Sequence, residues 1–493
     1  MKYFNTQLII TSLLGLSLIG CGDTNSNNNE DTELSIFIKS EKLTGNALQG
    51  KVTPHISDAK AQLGMHLFFS KSLGADRDSA CVTCHHPLLG GGDNLSLSIG
   101  VGAVNADILG KGRRHDASSS HYDGGPLVPR NAPTTFNIAG WNSVLFHDGR
   151  VAHITSKNIS TPDSGHLIAD ELATKNLASA QSRFPITSPE EMKGFNHENK
   201  DNQEIREYVA SRLGGYGEGK DELKDTGYWL NKFQTALNEP NGSSKELITE
   251  QNIAMLIGEY ENSQVFTNTP WKDYVEGDKG AISTSAKAGA ILFYKSIKEG
   301  GANCVSCHSG DFFTDEKFYN IAMPQLGNGK GDGDEGIEDF GCLSTTGIER
   351  DKYAFRTPSL LNVEVTGPWG HTGAYTSLEG VIRHHLNPKE AIQNYDASQL
   401  SQIGLQNLDK LKVNSIRAIE QLEKDRVAGL DVLQDSNLSN EQVNNLVEFL
   451  YTLTDPCVLD ESCLAKWIPK PNQDPNGDQL DAIDAKGNVL GRE

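Results

Sequence analysis

Two pentapeptides carry the residue types most capable of chemistry, CVTCH at 81–85 and CVSCH at 304–308. In the pattern C-x-x-C-H, two thiols attach a c-type haem covalently, and the adjacent histidine becomes the proximal ligand of its iron. A zinc site would need more ligands nearby, and a redox dithiol would lie in a βαβ context; the surrounding sequence shows neither. We therefore predict two covalent haems, held by Cys81, Cys84, His85, Cys304, Cys307 and His308.

Each motif follows a similar amphipathic segment that must position it. AQLGMHLFF (61–69) precedes the first motif, and AKAGAILFY (286–294) precedes the second. The spacing from Gly64 to Cys81 is 17 residues, and that from Gly289 to Cys304 is 15. Two copies at a long offset predict two similar domains in tandem rather than a solenoid. Since runs of period two are few, we predict a mainly α fold with long loops and little sheet.

The net charge of −21 over 493 residues limits the partners. Nucleic acid is excluded as a partner, because its affinity comes from lysine and arginine neutralising phosphates. An acidic surface favours basic protein partners through electrostatic steering. A solvated acidic shell without a partner explains the same charge, and the sequence leaves both interpretations open.

The N-terminus has the features of an export signal. Lys2 precedes the apolar run LIITSLLGLSLIG, which is too short to span a membrane. The run ends in LIGC, which resembles a bacterial lipobox whose cysteine, here Cys21, is lipidated. We predict a lipoprotein signal peptide at 1–21, a polar tether at 22–50, and a periplasmic protein anchored by lipid at Cys21; a plain signal peptide is the alternative.

Between about residues 55 and 455 the chain resembles the bacterial di-haem cytochrome c peroxidase family, which includes MauG. The resemblance rests on stretches in the family's order: GGDNLSLSIG, RNAPTTFN, LFHDGR, PEEMKG, CVSCHSGDFFTD, FRTPSLLNVEVTGPWGHTGAYTSLEGVI and FLYTLTDP. It implies two tandem class I cytochrome c-like domains. The first, 51–270 with an insertion at about 151–180, would meet peroxide, and the second, 271–456, would transfer electrons. An irregular tail, 457–493, would follow.

The resemblance implies a distal acid and a neighbouring amide. Glu191 in PEEM matches the family's acid, and Gln181 lies ten residues before it, with Pro185 between them. Cleavage of the O–O bond of peroxide needs one group that takes a proton and then returns it, which a carboxylate can do. The alternative for Glu191 is an acid on a helix surface.

The resemblance also implies one calcium ion between the haems. Asn131, Thr366 and Pro368 match the family's ligands, and an amide oxygen with two carbonyl oxygens suits calcium. A hydrogen-bonded cluster at a domain interface is the alternative. The stretch DPNGDQLD (474–481) lacks the sixth-position glycine and the late glutamate of an EF-hand, so we interpret it as a loop.

The chain departs from the family at the first haem. Many members have a histidine sixteen residues after the proximal histidine, where it covers the iron until reduction; here that residue is Val101. Since valine cannot bind iron, we predict an open or water-bound iron at the His85 haem. His115 and His121 lie further along and are the alternative ligands.

Two further departures concern the second haem and the route between the haems. The family's sixth ligand, commonly methionine, lies fourteen residues after the position of His371, which places His385 there. We predict His385 rather than His384 as the ligand, and a lowered potential, since methionine ligation raises it; two exposed histidines are the alternative. His147 replaces a tryptophan that is suspected of relaying electrons, which leaves the inter-haem route open.

Three functions remain after this reasoning. The first is an exported peroxidase that reduces hydrogen peroxide with electrons from a small cytochrome c or copper protein. The second is a MauG-like enzyme that oxidises residues of a partner protein through a high-valent state, and the third is a di-haem electron carrier without catalysis. An open iron beside an acid favours an enzyme over a carrier. A homodimer also stays open, because family members are often dimers.

The remaining cysteines fit an oxidising compartment. Cys457 and Cys463 are close enough in sequence to form a small disulfide loop. Cys342 is then unpaired, or it pairs with one of the two, and the sequence does not decide between these pairings.

Overall fold

The structure is a computed structural model that describes residues 24–174, 176–430 and 432–491. The fold is mainly helical, as predicted. The predicted signal peptide and Cys21 lie outside the described residues. No helix in the described ranges has the length and apolar character needed to cross a membrane.

The α-helices are α1 Thr24–Ser40, α2 Ala59–Phe68, α3 Leu177–Gln181, α4 Asn202–Gly214, α5 Gly227–Leu237, α6 Ser244–Leu247, α7 Glu250–Asn262, α8 Pro270–Glu276, α9 Thr284–Tyr294, α10 Leu343–Thr346, α11 Leu378–Leu386, α12 Pro388–Gln393, α13 Leu411–Val427, α14 Asn440–Tyr451 and α15 Glu461–Leu464.

Sheet content is small, as the sequence predicted. Strands β1 (Val144–Leu145), β2 (Val151–Thr155) and β3 (Asn158–Ser160) form an antiparallel sheet in the order β1-β2-β3. Strands β4 (Phe318–Tyr319) and β5 (Phe355–Arg356) pair separately. The predicted insertion at about 151–180 therefore forms a β-hairpin, a connection and the start of α3.

The two halves of the chain repeat one helix crossing. In the N-terminal half α2 packs on α7, and a Cβ atom added at Gly64 would lie 1.9 Å from the carbonyl oxygen of Leu256. In the C-terminal half α9 packs on α14, and a Cβ atom added at Gly289 would lie 1.8 Å from the carbonyl oxygen of Asn445. Only glycine allows backbones to approach this closely. The repeated segments therefore place each C-x-x-C-H motif after an equivalent helix crossing.

The segment before the first repeat, which lies within the predicted polar tether at 22–50, contains helix α1. Helix α1 packs on α9 in the C-terminal half, where Leu34 is fully buried and Phe37 stacks on Tyr294 with ring centroids 5.9 Å apart. The Asp31 carboxylate accepts an ion pair from Lys287 at 2.8 Å. The sequence did not predict this packed face of α1, because its apolar residues are scattered among polar ones. They pack only against a helix that is distant in sequence.

The C-terminal tail packs back on the N-terminal half. Val458, Leu464, Trp467, Ile468 and Leu480 join its hydrophobic core. Tyr260 Oη donates to the Trp467 carbonyl at 2.8 Å, and Arg77 pairs with Asp478 at 2.6 Å. A disulfide joins Cys457 to Cys463, and Cys342 is buried without a disulfide. The two terminal segments therefore cross over, and each packs on the half of the chain that is more distant from it in sequence.

Candidate functional site

The first C-x-x-C-H motif presents an anchored histidine. A 3₁₀ turn, Cys81–Thr83, begins the motif, and neither of its cysteines forms a disulfide. His85 Nδ1 lies 3.1 Å from the Gly91 carbonyl oxygen, to which it donates. This bond assigns the proton to Nδ1 and leaves Nε2 as the metal-binding atom, the usual arrangement of a ligating histidine. Burial lowers the pKa of His85, which favours the neutral form that binds metals.

The second motif presents a pair of facing histidines. His308 Nδ1 lies 3.2 Å from the Phe313 carbonyl and 3.1 Å from that of Pro358. His385, in α11, directs Nδ1 at the Val381 carbonyl at 2.8 Å. The two imidazole centroids are 6.4 Å apart. A ring nitrogen binds a metal at about 2 Å, so two rings on opposite sides of one metal ion have centroids roughly 6 Å apart, and this pair fits a bis-histidine haem iron.

The neighbour of His385 has a different role. His384 is fully buried; its Nδ1 accepts from Tyr375 Oη at 2.8 Å, and its Nε2 donates to the Ile321 carbonyl at 2.8 Å. Both ring nitrogens are therefore occupied by protein groups. Consecutive residues of a helix point about 100° apart, so the helix turns one histidine into the core and the other toward His308.

Glu191 lies on an unusual turn. The segment Pro189–Lys193 is a single π-helical turn, a feature that occurs frequently at functional sites. Burial raises the pKa of Glu191, while the cations Arg150 and Lys330 oppose that shift. A carboxyl whose pKa is raised holds a proton more readily than an ordinary glutamate, which suits a group that takes up a proton and returns it.

Val101 packs directly on that turn. Its amide donates to the Glu190 carbonyl at 3.1 Å, and a Cβ atom at Gly100 would lie 2.7 Å from the Glu191 Cα. The Val101 side chain is buried, with 3% of its surface exposed. Among the described residues, no histidine ring contacts His85 in the way that His385 contacts His308.

The two alternative ligands occupy different surroundings. The His115 ring packs against Gly102, the neighbour of Val101, and its buried Nδ1 has no partner among the described residues. It also stacks on Tyr122 with centroids 5.3 Å apart. His121 is exposed and stacks on Phe195 at 4.0 Å. His115 thus lies near the valine that replaces the family's histidine, whereas His121 lies on the surface.

Gln181 is half-buried at the end of α3. The helix begins with an Asn176 cap, whose side chain accepts from the Ser179 amide at 3.1 Å. Two residues after Gln181, the fully buried Arg183 pairs with Asp170 of the insertion at 2.7 Å and with Glu250 of α7 at 3.3 Å. These ion pairs fix the segment that carries Gln181 to both the insertion and the helical core.

The predicted calcium ligands lie along the contact between the halves. The Asn131 amide donates to the His371 carbonyl at 2.8 Å, and its side chain Nδ2 donates to the Leu95 carbonyl at 2.8 Å. Thr366 and Pro368 lie on the loop that leads to His371. The donor set contains an amide oxygen and loop carbonyls, which is the oxygen chemistry that calcium prefers. The structure therefore brings Asn131 to the loop that carries the other two residues.

Sequence reasoning missed a group of buried charges between the halves. Arg130 contacts both Asp148 and Asp339 at 2.6 Å, and Arg150 contacts Asp148 at 3.0 Å. Their motifs, RNAPTTFN and LFHDGR, were recognised, but nothing local indicates that their charges meet a carboxylate some 190 residues or more away.

Polar groups also surround His147, which stands where the family usually has a tryptophan. His147 Nε2 donates to the Asn131 carbonyl at 3.0 Å, and burial, with Arg130 nearby, lowers the pKa of His147 to about 4. The Arg356 guanidinium lies 3.4 Å from the centre of the Trp141 ring. The Trp141 and Phe312 rings meet edge to face, with centroids 5.4 Å apart. Trp141 therefore joins the N-terminal half to the segment after the second C-x-x-C-H motif.

Comparisons with known proteins agree with these observations. A family model described as di-haem cytochrome c peroxidase matches residues 58–280. The methylamine utilization protein MauG of Methylorubrum extorquens is 29% identical over 68% of this chain and 70% of that protein. Cytochrome c551 peroxidase of Nitrosomonas europaea is 26% identical over 67% of this chain and 73% of that protein.

A solved structure shares the fold. A crystal structure of a MauG-like protein associated with microbial copper homeostasis superposes with a TM-score of 0.52. The match covers 84% of this chain and 97% of that chain at 20% sequence identity. The helical architecture with little sheet is thus shared with that protein.

Proposed function

We propose that this chain, which belongs to the di-haem cytochrome c peroxidase family, reduces hydrogen peroxide to water with electrons from a small redox protein. Members of this family are peroxidase-type oxidoreductases, and family membership implies two haem c groups. In our proposal, residues 51–270 form a cytochrome c-like domain that meets peroxide, and residues 271–456 form one that transfers electrons. The family allows several substrates, so the choice of peroxide depends on the surroundings of His85.

The residues of both motifs fit haem. Cys81 and Cys84 would bond the first haem and Cys304 and Cys307 the second, each beside a histidine whose Nδ1 is already held by a carbonyl. A bound haem supplies an iron that exchanges electrons and can bind peroxide. Every other contribution must come from the side chains around it.

The observation that carries the proposal is Val101 against the Glu191 turn. The position where the family often has an iron-covering histidine holds a buried apolar side chain, hydrogen-bonded through its amide to Glu190. Because valine cannot bind iron, the metal that His85 would hold would keep a position for a small ligand, and Val101 contacts the turn that carries Glu191. An electron carrier needs neither feature.

In this site Glu191 moves the proton. Its carboxylate would accept one proton from the peroxide and return it to the departing oxygen, which would leave as water. Gln181 is an amide without charge; it donates a hydrogen bond that orients the bound peroxide. The burial that raises the pKa of Glu191 favours its holding the proton between these two steps.

The C-terminal half accepts the electrons. His308 and His385 would both hold the second haem iron, which would leave no position for a substrate there. An acidic protein with a net charge of −21 attracts a donor with a basic patch, such as a small cytochrome c or a copper protein. Calcium held by Asn131, Thr366 and Pro368 would stabilise the contact between the halves. Export through the N-terminal signal, with lipid at Cys21, would place the enzyme in the periplasm.

Electron paramagnetic resonance of the oxidised holoprotein tests this function. We expect one high-spin haem at His85 and one low-spin bis-histidine haem at His308, with rapid peroxide turnover when a reduced cytochrome c is added. If both haems are low-spin, the argument from Val101 is wrong. A long-lived oxidised form without turnover would instead support oxidation of a partner protein, and an absence of any reaction with peroxide would support an electron carrier.

A further inference from the structure

Arg113 is a buried cation whose hydrogen bonds go to backbone carbonyls. Only 3% of its surface is exposed. Its Nε and Nη2 donate to the carbonyls of Ile99 and Gly100, both at 2.6 Å. Its Nη1 donates to the carbonyls of Ala106 and Ile108, at 2.9 and 3.0 Å. Because a guanidinium presents its donors in a rigid planar fork, one side chain holds two separate stretches of backbone in a fixed relation.

These two stretches belong to one loop, residues 99–116, which we call the Val101 loop. The Val101 amide donates to the Glu190 carbonyl at 3.1 Å. A Cβ atom at Gly100 would lie 2.3 Å from the same carbonyl oxygen, so only glycine allows this approach. Arg113 therefore fixes the loop at the residue where it meets the π-helical turn.

The end of the Val101 loop folds back on its start. The Asp116 amide donates to the Gly102 carbonyl at 2.7 Å. The His115 ring packs on the same glycine, where a Cβ atom would lie 3.0 Å from Nε2 of His115. The ring is buried, and its Nδ1 has no hydrogen-bond partner among the described residues. An imidazole with an unbonded nitrogen thus packs on the residue directly after Val101.

The C-terminal tail binds the middle of the Val101 loop. The Leu109 amide donates to the Ile483 carbonyl at 2.9 Å, and the Ile483 amide donates to the Asp107 carbonyl at 2.8 Å. Lys71 pairs with the Asp107 carboxylate at 3.0 Å. The middle of the loop is therefore fixed by other parts of the chain, and the bonds of Arg113 transmit that fixed position to the start of the loop.

We propose that Arg113 is a positioning residue for the peroxide step. It holds the Val101 loop closed, which keeps Val101 against the π-helical turn. It also keeps the His115 ring packed on Gly102, away from the position where the His85 haem would meet peroxide. Without Arg113, the loop would let this imidazole move toward the position where many family members have a histidine. The inference rests on the proposed function, in which the first haem meets peroxide.

Electron paramagnetic resonance of the oxidised holoproteins tests the inference through Arg113→Met. We expect part of the high-spin signal of the first haem to become low-spin. The peroxide step should also slow by about tenfold or more, since small displacements at a reaction site are costly. Adding His115→Phe to Arg113→Met should restore the high-spin signal, because the competing ligand is then gone. A low-spin signal that persists in this double variant overturns the inference.

Arg114→Met is the matched control. Arg114 is the exposed neighbour of Arg113, so its replacement should change neither the high-spin signal nor the rate of the peroxide step. Arg113→Lys separates geometry from charge, because lysine keeps the charge but offers one nitrogen in place of the fork. It should therefore show the same changes as Arg113→Met. If Arg113→Lys behaves as the unsubstituted protein, the charge rather than the fork matters and the inference is wrong.

Hydrogen exchange gives a measurement that does not depend on turnover. In Arg113→Met the Val101 amide should exchange faster by about tenfold or more, because its bond to the Glu190 carbonyl opens more often. Unchanged exchange with an unchanged high-spin signal overturns the inference and leaves the proposed function intact. If Arg113→Met gives no folded holoprotein, the same two measurements on Arg113→Lys decide the question. If the unsubstituted protein itself has no high-spin haem, the proposed function fails instead.

Discussion

His385 faces His308 across a gap of 6.4 Å between ring centroids, while the adjacent His384 points into the core against Tyr375. The two histidines are neighbours in sequence and have opposite environments. One ring has a nitrogen available for a metal, and the other has both nitrogens engaged in hydrogen bonds. The proposed electron-accepting centre depends on this division.

Replacing His385 by methionine should raise the reduction potential of the C-terminal haem. Thioether ligation favours the reduced iron relative to imidazole, and axial ligands change haem potentials on the order of 0.1 V or more. A spectroelectrochemical titration measures the change. Arg383→Met places the same side chain elsewhere on α11, where Arg383 pairs with Glu379, and should leave the potential nearly unchanged. Equal potentials for His385→Met and the unsubstituted protein would show that His385 does not bind the iron.

Replacing Val101 by histidine should close the first haem. An imidazole at this buried position, beside the Glu191 turn, would occupy the side of the iron that valine leaves open. We expect the high-spin signal to be lost and the reaction of the oxidised protein with peroxide to slow by about tenfold or more. Val101→Ile adds bulk without a ligand and should keep the high-spin signal. A high-spin spectrum in Val101→His would contradict the predicted placement of Val101.

Replacing Glu191 by glutamine should slow the peroxide step by about 10²-fold or more, because an amide cannot carry the proton. The step should also fade in the unsubstituted protein as the pH falls through the pKa of Glu191, since only the carboxylate accepts a proton. Burial raises that pKa, so the acidic limb should lie above the ordinary range of a glutamate. Stopped-flow mixing with peroxide measures both effects, and Glu190→Gln serves as the neighbouring control.

Glu261 should make the folded protein less stable in mild base. Burial raises the pKa of Glu261 to about 8, and its Oε2 is buried without a partner among the described residues. The folded state then binds a proton that the unfolded state has released, so stability is full below the unfolded pKa near 4.5 and falls as the pH rises toward 8. In Glu261→Gln this part of the pH dependence should disappear. Urea unfolding at pH 5 and pH 8 measures it, and an equal slope in both proteins would contradict the assignment.

The mainly helical character of this fold could be predicted from the sequence, because the patterns that indicate it are local. The C-x-x-C-H motifs, the helix-forming repeats with their glycines and the scarcity of alternating strands predicted a mainly helical chain, and the structure confirmed it. The resemblance to the di-haem peroxidase family is confirmed by the comparisons. The packing of α1 and of the tail was not predicted, because each gains its stability from contacts with a half of the chain that is distant in sequence.

The sequence by itself determined which groups this protein carries: two pairs of thiols with adjacent histidines, a valine in place of a histidine, and an acid ten residues after an amide. These features follow from residue types and their spacing along the chain alone. Only the tertiary structure brought the His385 ring to face His308, and brought Asp339 to Arg130, which shares Asp148 with Arg150. Side-chain direction and long-range charge pairing follow from how the two halves pack, and no local pattern encodes that packing.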